Sequence, residues 1–400
     1  MPATTKTFPA QQIIDAVERV IGDGPRPVPL HEPCFRGREK EYTAQCIDTG
    51  WVSSVGSFVD RFERDLAAYT GAKYAIVTVN GTAALHLALM LAGVRAGDEV
   101  IVPALTFVAT ANAVAHCGAI PHFADSEMVT LSLDATKLDG HLNKIAQRRD
   151  GDVYNRITQR RIAAIVPMHT FGHPVNLDAL LEVARRWGLP IVEDAAESLG
   201  SFYRGKHTGT FGLLGTLSFN GNKIITTGGG GAILTDDEAL AQHAKHLSTT
   251  AKQPHAWAFA HDEIAFNYRL PNLNAALGCA QLEQLPAFLD AKRTLAAGYL
   301  EAFAANEHAC VVAQPANCES NYWLNTLILD EAHARQRDEL LRALHAAGIL
   351  ARPAWEPMHC LPMYRSNPRM DLSTSESLAR RIINLPSSVS LASRATKGRP

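Results

Sequence analysis

The sequence lacks an excess of charge, a long apolar run and any closely spaced pair of cysteines. Its 38 lysines and arginines nearly balance its 40 aspartates and glutamates, which gives no reason to expect a nucleic-acid or membrane partner. No apolar run is long enough to span a bilayer, and the first twenty residues lack the pattern of a secretory signal. Seven scattered cysteines without a CxxC pair fit a reducing compartment. We therefore expect a cytoplasmic protein.

The composition is that of a globular protein large enough for two domains. Hydrophobic residues make up 46% and charged residues 20% of the 400 positions, which excludes a largely disordered chain. This length exceeds the usual size of a single hydrophobic core. We expect one large and one smaller domain.

Short β-branched runs alternate with helical patterns in the first part of the chain. The predicted strands are 73–79, 98–104, 119–123, 162–167, 189–194, 215–219 and 230–234, and the predicted helices are 11–21, 82–91, 108–115, 177–186 and 237–247. Strands separated by single helices indicate βαβ crossovers and a mainly parallel sheet. The predicted fold class is α/β.

The pattern changes after about residue 255. The sequence then predicts a long helix over 272–303 with an interruption near Pro286, strands at 309–312, 321–329 and near Leu350, and a helix over 334–346. This order is typical of a small α+β domain. We expect residues 1–255 to form an N-terminal arm and the large domain, and residues 256–400 to form the small domain.

Open parallel sheets bind ligands at the carboxyl ends of their strands, and the first candidate there is Asn80-Gly81-Thr82. Gly81 would let the backbone approach a ligand closely. The N-terminus of the following helix offers free N–H groups to a phosphate. Taken alone, the segment is better explained as an ordinary helix cap formed by Asn80 or Thr82.

Asp194 ends another predicted strand. A carboxylate in this position can pair with the pyridinium nitrogen of a cofactor, and the protonated ring then acts as an electron sink. A helix-capping aspartate is an equally good interpretation of this segment by itself.

Lys223 lies in a third such loop, five residues after Ser218 and shortly before four glycines at 228–231. The small and polar residues around it offer little for a lysine to pack against. A desolvated lysine beside a cofactor is the arrangement that an amine nucleophile requires. The alternative is a solvated loop lysine, which Ser218 and the glycine run make less plausible.

Two further patterns resemble known sites but do not fit them. Residues 200–206 match part of a phosphate-binding loop, yet His207 replaces the Ser or Thr that would bind Mg²⁺. We interpret this segment as a hairpin. His169 and His173 are four residues apart, but Gly172 and Pro174 exclude a helix between them, so we expect no metal site there.

Five separated segments, in order, resemble the DegT/StrS family of nucleotide-sugar aminotransferases, which depend on pyridoxal 5'-phosphate (PLP). The similarity covers nearly all of residues 28–390, and the segments are 80–85, 103–110, 193–196, 218–223 and 266–269. It implies PLP fold type I, the aspartate-aminotransferase-like fold, with a large mainly parallel sheet domain and a smaller C-terminal domain. It also implies PLP as the cofactor.

The resemblance implies a role for individual residues. Lys223 would hold PLP as a Schiff base. The cofactor-binding residues would be Gly81, Thr82 and Ser218 at the phosphate, Phe107 on the ring, Asp194 at the ring nitrogen and Asn267 at the phosphate of a partner subunit's cofactor. Shared sites of this kind imply a homodimer. Asn220 and His359 are implied as substrate contacts.

Glu197 departs from the family pattern. The family commonly has Gln or His at this position, near the phenolic oxygen of the cofactor. A carboxylate facing that oxygen would need a proton or another partner. We nevertheless include Glu197 among the expected cofactor-binding residues.

Residues 51–56, 167–174 and 218–227 resemble one branch of the family, the aminotransferases of legionaminic-acid-type and bacillosamine-type sugar synthesis. This similarity implies transfer of an amino group from L-glutamate to C4 of a UDP-linked 2-acetamido-4-keto-2,6-dideoxyhexose. The products would be the UDP-4-amino sugar, for bacterial surface glycans, and 2-oxoglutarate.

Three alternatives remain at this stage. A sugar 3-dehydratase of this family would carry histidine in place of Lys223. An aminotransferase for another nucleotide keto sugar, including a 3-keto sugar, would share every cofactor motif. A non-enzymatic regulator with a PLP fold would need a DNA-binding segment, of which the sequence gives no sign.

Overall fold

The computed structural model of the protein describes residues 10–392. Residues 1–9 and 393–400 lie outside the described residues. These residues include the outer ends of the two expected domains. They also include the first nine of the twenty residues that lack a secretory-signal pattern. No helix within residues 10–392 has both the length and the apolar character to cross a membrane.

The described residues form helices and strands in the following order along the chain. The helices are α1 (Ala10–Ile21), α2 (Glu39–Asp48), α3 (Ser57–Thr70), α4 (Gly81–Leu91), α5 (Val108–His116), α6 (Ala135–Ile145), α7 (Leu177–Trp187), α8 (Glu238–Ser248), α9 (Asn272–Phe303), α10 (Arg337–Ala346) and α11 (Ser373–Arg381). The strands are β1 (Tyr74–Thr78), β2 (Glu99–Pro103), β3 (Ile120–Ala124), β4 (Ala146–Arg149), β5 (Asp152–Asn155), β6 (Arg161–Ile165), β7 (Val192–Asp194), β8 (Phe202–Tyr203), β9 (Lys206–His207), β10 (Leu214–Ser218), β11 (Gly231–Thr235), β12 (Ala309–Val311), β13 (Cys318–Glu319), β14 (Asn325–Leu329), β15 (Arg352–Pro353) and β16 (Ile382–Leu385).

The large sheet is mainly parallel, as predicted. Strands β3, β2 and β6 pair in parallel, parallel bridges at Ile165 and Met168 join this group to β7, and β7 pairs in parallel with β10. At one edge β11 pairs antiparallel with β10, and β1 pairs antiparallel with β11. Strand β11 is therefore reversed, whereas β1 runs in the same direction as β10 and β7. Because parallel strands end at the same side of a sheet, the loops after β7 and β10 come together.

Both faces of this sheet are buried. In β2, Val100 and Val102 pack into one core cluster, whereas Ile101 between them packs into another. Alternate side chains of a strand point to opposite faces, so a strand covered on both sides becomes a continuous apolar run. This is why the strand signals in the sequence are strong.

The second sheet is antiparallel, in the order β12-β14-β16-β15. Its core includes Leu295 and Tyr299 of α9 and the apolar face of α1, which contributes Ile13, Val17 and Ile21. The predicted N-terminal helix is thus present, and its apolar stripe packs against C-terminal elements. The domain boundary at residue 255 remains a prediction.

Two expectations about the C-terminal part are wrong in detail, and a third is imprecise. Helix α9 continues through Pro286, which lies at an exposed position, so that its ring is not packed into the core. The predicted strand over 321–329 begins only at Asn325, because Tyr322 has a positive φ of 47°. The helix expected over 334–346 begins as a 3₁₀ segment and becomes α10.

The segment 200–206 forms a hairpin, as the sequence predicted. Strands β8 and β9 pair antiparallel, with Phe202 opposite His207 and Tyr203 opposite Lys206. Arg204 and Gly205 at the turn have positive φ values of 49° and 76°. A phosphate-binding loop is therefore excluded at this position.

Candidate active site

A cavity of about 350 Å³ opens at the carboxyl ends of the large sheet's strands. Its lining includes eight of the ten residues that the sequence singled out. These are Gly81, Thr82, Phe107, Asp194, Glu197, Ser218, Asn220 and Lys223. Residues from four separate loops thus meet in one place, as expected for the carboxyl edge of a parallel sheet.

The first wall is the N-terminus of α4. The Asn80 side chain accepts a hydrogen bond from the Ala83 N–H at 2.8 Å, so the capping interpretation of this residue is correct. A Cβ atom on Gly81 would lie 2.9 Å from the Cβ of Ser218, a distance that only glycine permits without a shift. The helix start and the Ser218 hydroxyl therefore face the same small volume, which suits an anion such as a phosphate.

Asp194 also lines the cavity and is only 6% exposed. The Thr110 hydroxyl donates a hydrogen bond to its Oδ2 at 2.8 Å, and the Ala196 N–H donates to its Oδ1 at 3.2 Å. Turns follow β7 directly, so the helix-capping alternative for Asp194 is wrong. The result is a buried, oriented carboxylate beside the cavity.

The neighbouring Glu193 does not line the cavity. Its carboxylate is instead the partner of the buried His169 ring. Its carboxylate accepts bonds from the Gly209 and Gly212 N–H groups and lies 3.0 Å from His169 Nε2. Burial acts to raise the pKa of Glu193, but His169 and the backbone donors hold it below its ordinary value. His169 also accepts a bond from the Val175 N–H, so both of its ring nitrogens have protein partners.

Lys223 lies in a buried setting rather than in solvent. Its side chain is 13% exposed, and Nζ lies 3.4 Å from Glu197 Oε1 and 4.0 Å from the centroid of the Trp323 ring. The solvated-lysine alternative is therefore wrong. An amine held between a carboxyl group and an indole ring can form a covalent bond with a carbonyl compound that enters the cavity.

Among the acids that line the cavity, Glu197 has a strongly shifted pKa. Burial raises the pKa of Glu197 to about 7, an effect that Asp194 reinforces, whereas Lys223 and the Phe171 N–H act in the opposite direction. The Phe171 N–H donates to Oε2 at 2.9 Å. Near neutral pH the residue can therefore carry the proton that a carboxyl group facing the cofactor's phenolic oxygen would need.

Two predicted site residues do not line this cavity. Asn267 accepts a bond from Arg269 Nε at 2.9 Å, and His359 Nε2 lies 3.1 Å from Glu376 Oε1. Both distances are those of hydrogen bonds to neighbouring side chains outside the cavity. The roles of Asn267 and His359 stay predictions.

Three aromatic or polar residues of the lining were not found from the sequence. They are Asn222, Trp323 and Trp355. Trp323 and Trp355 come from the C-terminal part of the chain, at least 100 positions after Lys223. No spacing rule relates positions so far apart, and only tertiary packing, in a cluster that includes Leu105 and Phe171, brings them to the cavity.

Comparison with known proteins places this site in a family. The sequence profile of the DegT/DnrJ/EryC1/StrS aminotransferase family matches residues 33–397. A GDP-perosamine synthase of Caulobacter vibrioides is 38% identical over 377 residues, which are 93% of this chain and 95% of the relative. A GDP-perosamine synthase of Escherichia coli O157:H7 is 38% identical over 365 residues, or 91% and 94% of the two chains.

The solved structures agree. The crystal structure of a DegT DnrJ EryC1 StrS aminotransferase from Brucella abortus matches with a TM-score of 0.79 at 29% identity, over 90% of this chain and 93% of that chain. Enzymes of this family are PLP-dependent, as the sequence predicted. The chain therefore belongs to the DegT/DnrJ/EryC1/StrS aminotransferase family and is a PLP-dependent sugar aminotransferase of fold type I.

Proposed function

We propose that Lys223 is the residue that binds PLP covalently and that the enzyme transfers the amino group of L-glutamate to the C4 keto group of a nucleotide-linked sugar. The observation that carries this proposal is the position of the Lys223 amine. It lies in the same cavity as the α4 N-terminus and the buried Asp194 carboxylate.

The residues of the cavity fit the cofactor. The α4 N-terminus and Ser218 would hold its phosphate, because Gly81 leaves no side chain between them. Asp194 would hold the protonated ring nitrogen, and Phe107, half exposed at the cavity wall, would cover the ring. PLP supplies an aldehyde that condenses with amines and a ring that withdraws electrons.

The chain's own residues supply the proton transfers. In the first half-reaction the Lys223 Nζ would take the α-proton of the amino-acid substrate and pass it to the former aldehyde carbon of the cofactor. In the second half it would move a proton in the opposite sense, from that carbon to C4 of the sugar. Such general acid–base catalysis contributes on the order of 10²–10⁴-fold. Glu197, with its pKa raised to about 7 by burial, would donate or accept a hydrogen bond at the cofactor's phenolic oxygen.

For the acceptor, the proposal is the UDP-linked 2-acetamido-4-keto-2,6-dideoxyhexose. The segments 51–56, 167–174 and 218–227 support it. Within the last of these, Ser218, Asn220, Asn222 and Lys223 line the cavity. The second candidate is a GDP-linked keto sugar, which the two relatives named GDP-perosamine synthase favour.

The covalent role of Lys223 is tested by reducing the PLP-loaded enzyme with borohydride and mapping the modified peptide. We expect the cofactor on Lys223, and we expect Lys223→Ala to lose at least about 10³-fold in turnover, since the nucleophile and the proton carrier are both removed. Lys144→Ala, at an exposed position of α6, is the matched control and should match the wild type. A modified lysine elsewhere would refute this part of the proposal.

The acceptor is tested with matched pairs of UDP-linked and GDP-linked 4-keto sugars that differ in the C2 substituent, with 2-oxoglutarate release as the readout. A site that hydrogen-bonds the acetamido group should reject the 2-hydroxyl analogue strongly, because buried polar groups would lose their partners. A higher kcat/KM for the GDP-linked sugar would replace the UDP-linked acceptor and leave the aminotransferase assignment intact.

A further inference from the structure

Part of the cavity wall has no role in holding the cofactor. The proposed cofactor-binding residues and the helix-capping Asn80 can be set aside. The polar and aromatic lining that remains is Asn220, Asn222, Trp323 and Trp355. Indole faces pack on the C–H faces of sugar rings, and amide groups pair with hydroxyls. This remaining wall has the chemistry of a carbohydrate subsite.

The two tryptophans of this wall differ in what they already contact. The Trp323 N–H donates to the Asn222 carbonyl at 2.7 Å, and its ring faces the Lys223 amine at 4.0 Å. Its carbonyl also accepts a bond from Lys292 Nζ at 3.0 Å. The Trp323 side chain therefore already binds the loop that carries Lys223, and its N–H is not free to bind a substrate.

Trp355 is the tryptophan of this wall whose side chain can contact a ligand. Within residues 10–392 its indole N–H has no hydrogen-bond partner, and the side chain is only half-buried. Its ring stacks on Phe171, with centroids 4.8 Å apart and planes inclined by 27°. One face of the indole is thus supported by protein, and a donor group is left for a ligand.

Phe171, on which Trp355 stacks, is held in place by its surroundings. Phe171 is 1% exposed and has a positive φ of 55°, a conformation that a bulky residue adopts only when its surroundings fix it. Its N–H donates to Glu197 and its carbonyl accepts from the Leu324 N–H. A ring that is held in place before the substrate arrives loses little entropy on binding.

We propose that Trp355 is the residue that selects the acceptor sugar, by packing its indole on the sugar ring and donating its N–H to a sugar or phosphate oxygen. This inference rests on the proposed function. L-Glutamate offers no apolar ring face, and its carboxylates need cationic or N–H donors. Trp355 should therefore act in the sugar half of the reaction and not in the glutamate half.

The two half-reactions can be measured separately, because each changes the visible absorbance of the bound cofactor in the opposite direction. Glutamate alone converts the cofactor to its amine form, and the keto sugar alone converts it back. For Trp355→Leu we expect kcat/KM in the sugar half to fall at least about 10-fold, mainly through a higher apparent Kd for the sugar. The glutamate half should stay within about twofold.

Trp355→Phe separates the contribution of the ring from that of the N–H. It should retain more sugar affinity than Trp355→Leu and less than the wild type. Trp187→Leu is the matched control, since its indole N–H bonds to Asp139 away from the cavity, and it should leave the ratio of the two half-reactions unchanged.

An equal loss in both half-reactions, or an unchanged sugar half, would overturn the role of Trp355. If Trp355→Leu does not fold, the comparison of Trp355→Phe and Trp355→Tyr with the wild type decides, and an unchanged sugar half in both would equally overturn it. Failure of wild-type enzyme to react with glutamate would instead refute the proposed function. The two failures are therefore distinguishable.

Discussion

At the scale of single residues, the site is organised around a buried acid next to a buried amine. Burial raises the pKa of Glu197 to about 7, and the nearby Lys223 amine limits that rise. An acid that binds its proton more tightly in the folded state stabilises the fold at low pH. This contribution is complete below the pKa of the unfolded chain, about 4.5, and is lost as the pH rises through the folded value.

Glu197→Gln in the PLP-free enzyme should therefore gain stability relative to the wild type as the pH rises from 5 to 8. The relative gain in the free energy of unfolding should reach about 2–3 kcal/mol, from the size of the pKa shift. Denaturant unfolding at several pH values measures it. Glu193→Gln is the comparator, because the pKa of Glu193 is lowered, and it should show no such gain. Parallel curves for Glu197→Gln and wild type would contradict the assignment.

The contact between Gly81 and Ser218 gives a second prediction at this scale. Gly81→Ala would place a Cβ 2.9 Å from the Ser218 Cβ and separate the two groups proposed to hold the phosphate. We expect PLP affinity to fall by roughly 10–100-fold, about 1.4–2.7 kcal/mol. Gly221→Ala, with no atom within 4 Å of the added Cβ, is the control. Equal PLP affinity in both variants, by fluorescence titration, would remove the phosphate site from this position.

At the scale of secondary-structure elements, α9 shows how context overrides local preference. Proline inside a helix removes one hydrogen bond and crowds the preceding turn, at a cost of roughly 3 kcal/mol. Helix α9 nevertheless continues through Pro286, since this 32-residue helix packs against α1, α2 and α3. Because the proline is exposed, the hydrogen bond that it removes does not disturb the packing of the buried face of the helix.

Pro286→Ala should therefore stabilise the protein by roughly 1–2 kcal/mol, because the restored hydrogen bond outweighs the added freedom of the unfolded chain. Ala287→Gly, at the next exposed position of the same helix, should act in the opposite direction by about 1 kcal/mol. Thermal unfolding of both variants shows whether each substitution raises or lowers the stability of the protein. A destabilised Pro286→Ala would mean that the ring has a packing role.

At the scale of the whole molecule, the predicted homodimer would cover apolar side chains that are exposed in the single chain. Trp257, Phe259 and Ile264 are 83%, 79% and 92% exposed and lie shortly before Asn267 in the sequence. Exposed apolar residues grouped in one segment are typical of an interface. A homodimer in which Asn267 reaches the partner's cavity would explain why this residue does not line its own.

Subunit mixing tests the shared site. Lys223→Ala and Asn267→Ala should each be inactive or nearly so, and a mixture that exchanges subunits should regain up to about a quarter of wild-type activity. Half of the randomly mixed dimers are heterodimers, and each has one site with both lesions and one intact site. No recovery after proven subunit exchange, or a fully active monomer in analytical ultracentrifugation, would exclude the shared site.

The sequence by itself determined the class of fold, the family and eight residues of the cavity lining. Parallel strands buried on both faces produce strong apolar runs, and Gly81, Asp194, Ser218 and Lys223 each follow such a run within a few positions. Local position made them candidates, and the resemblance of five ordered segments to one family assigned their expected roles. Their meeting in one cavity follows from the common edge of a parallel sheet.

Only the tertiary structure decided which aromatic groups come to the cavity. Trp323 contacts the Lys223 amine from 100 positions away, and Trp355 stacks on the strained Phe171 from 184 positions away. No local pattern encodes contacts over such separations. The raised pKa of Glu197 likewise depends on burial, which is a property of the assembled core. Local sequence specifies the loops that carry the chemistry, whereas desolvation and long-range packing give each side chain its charge state and its partners.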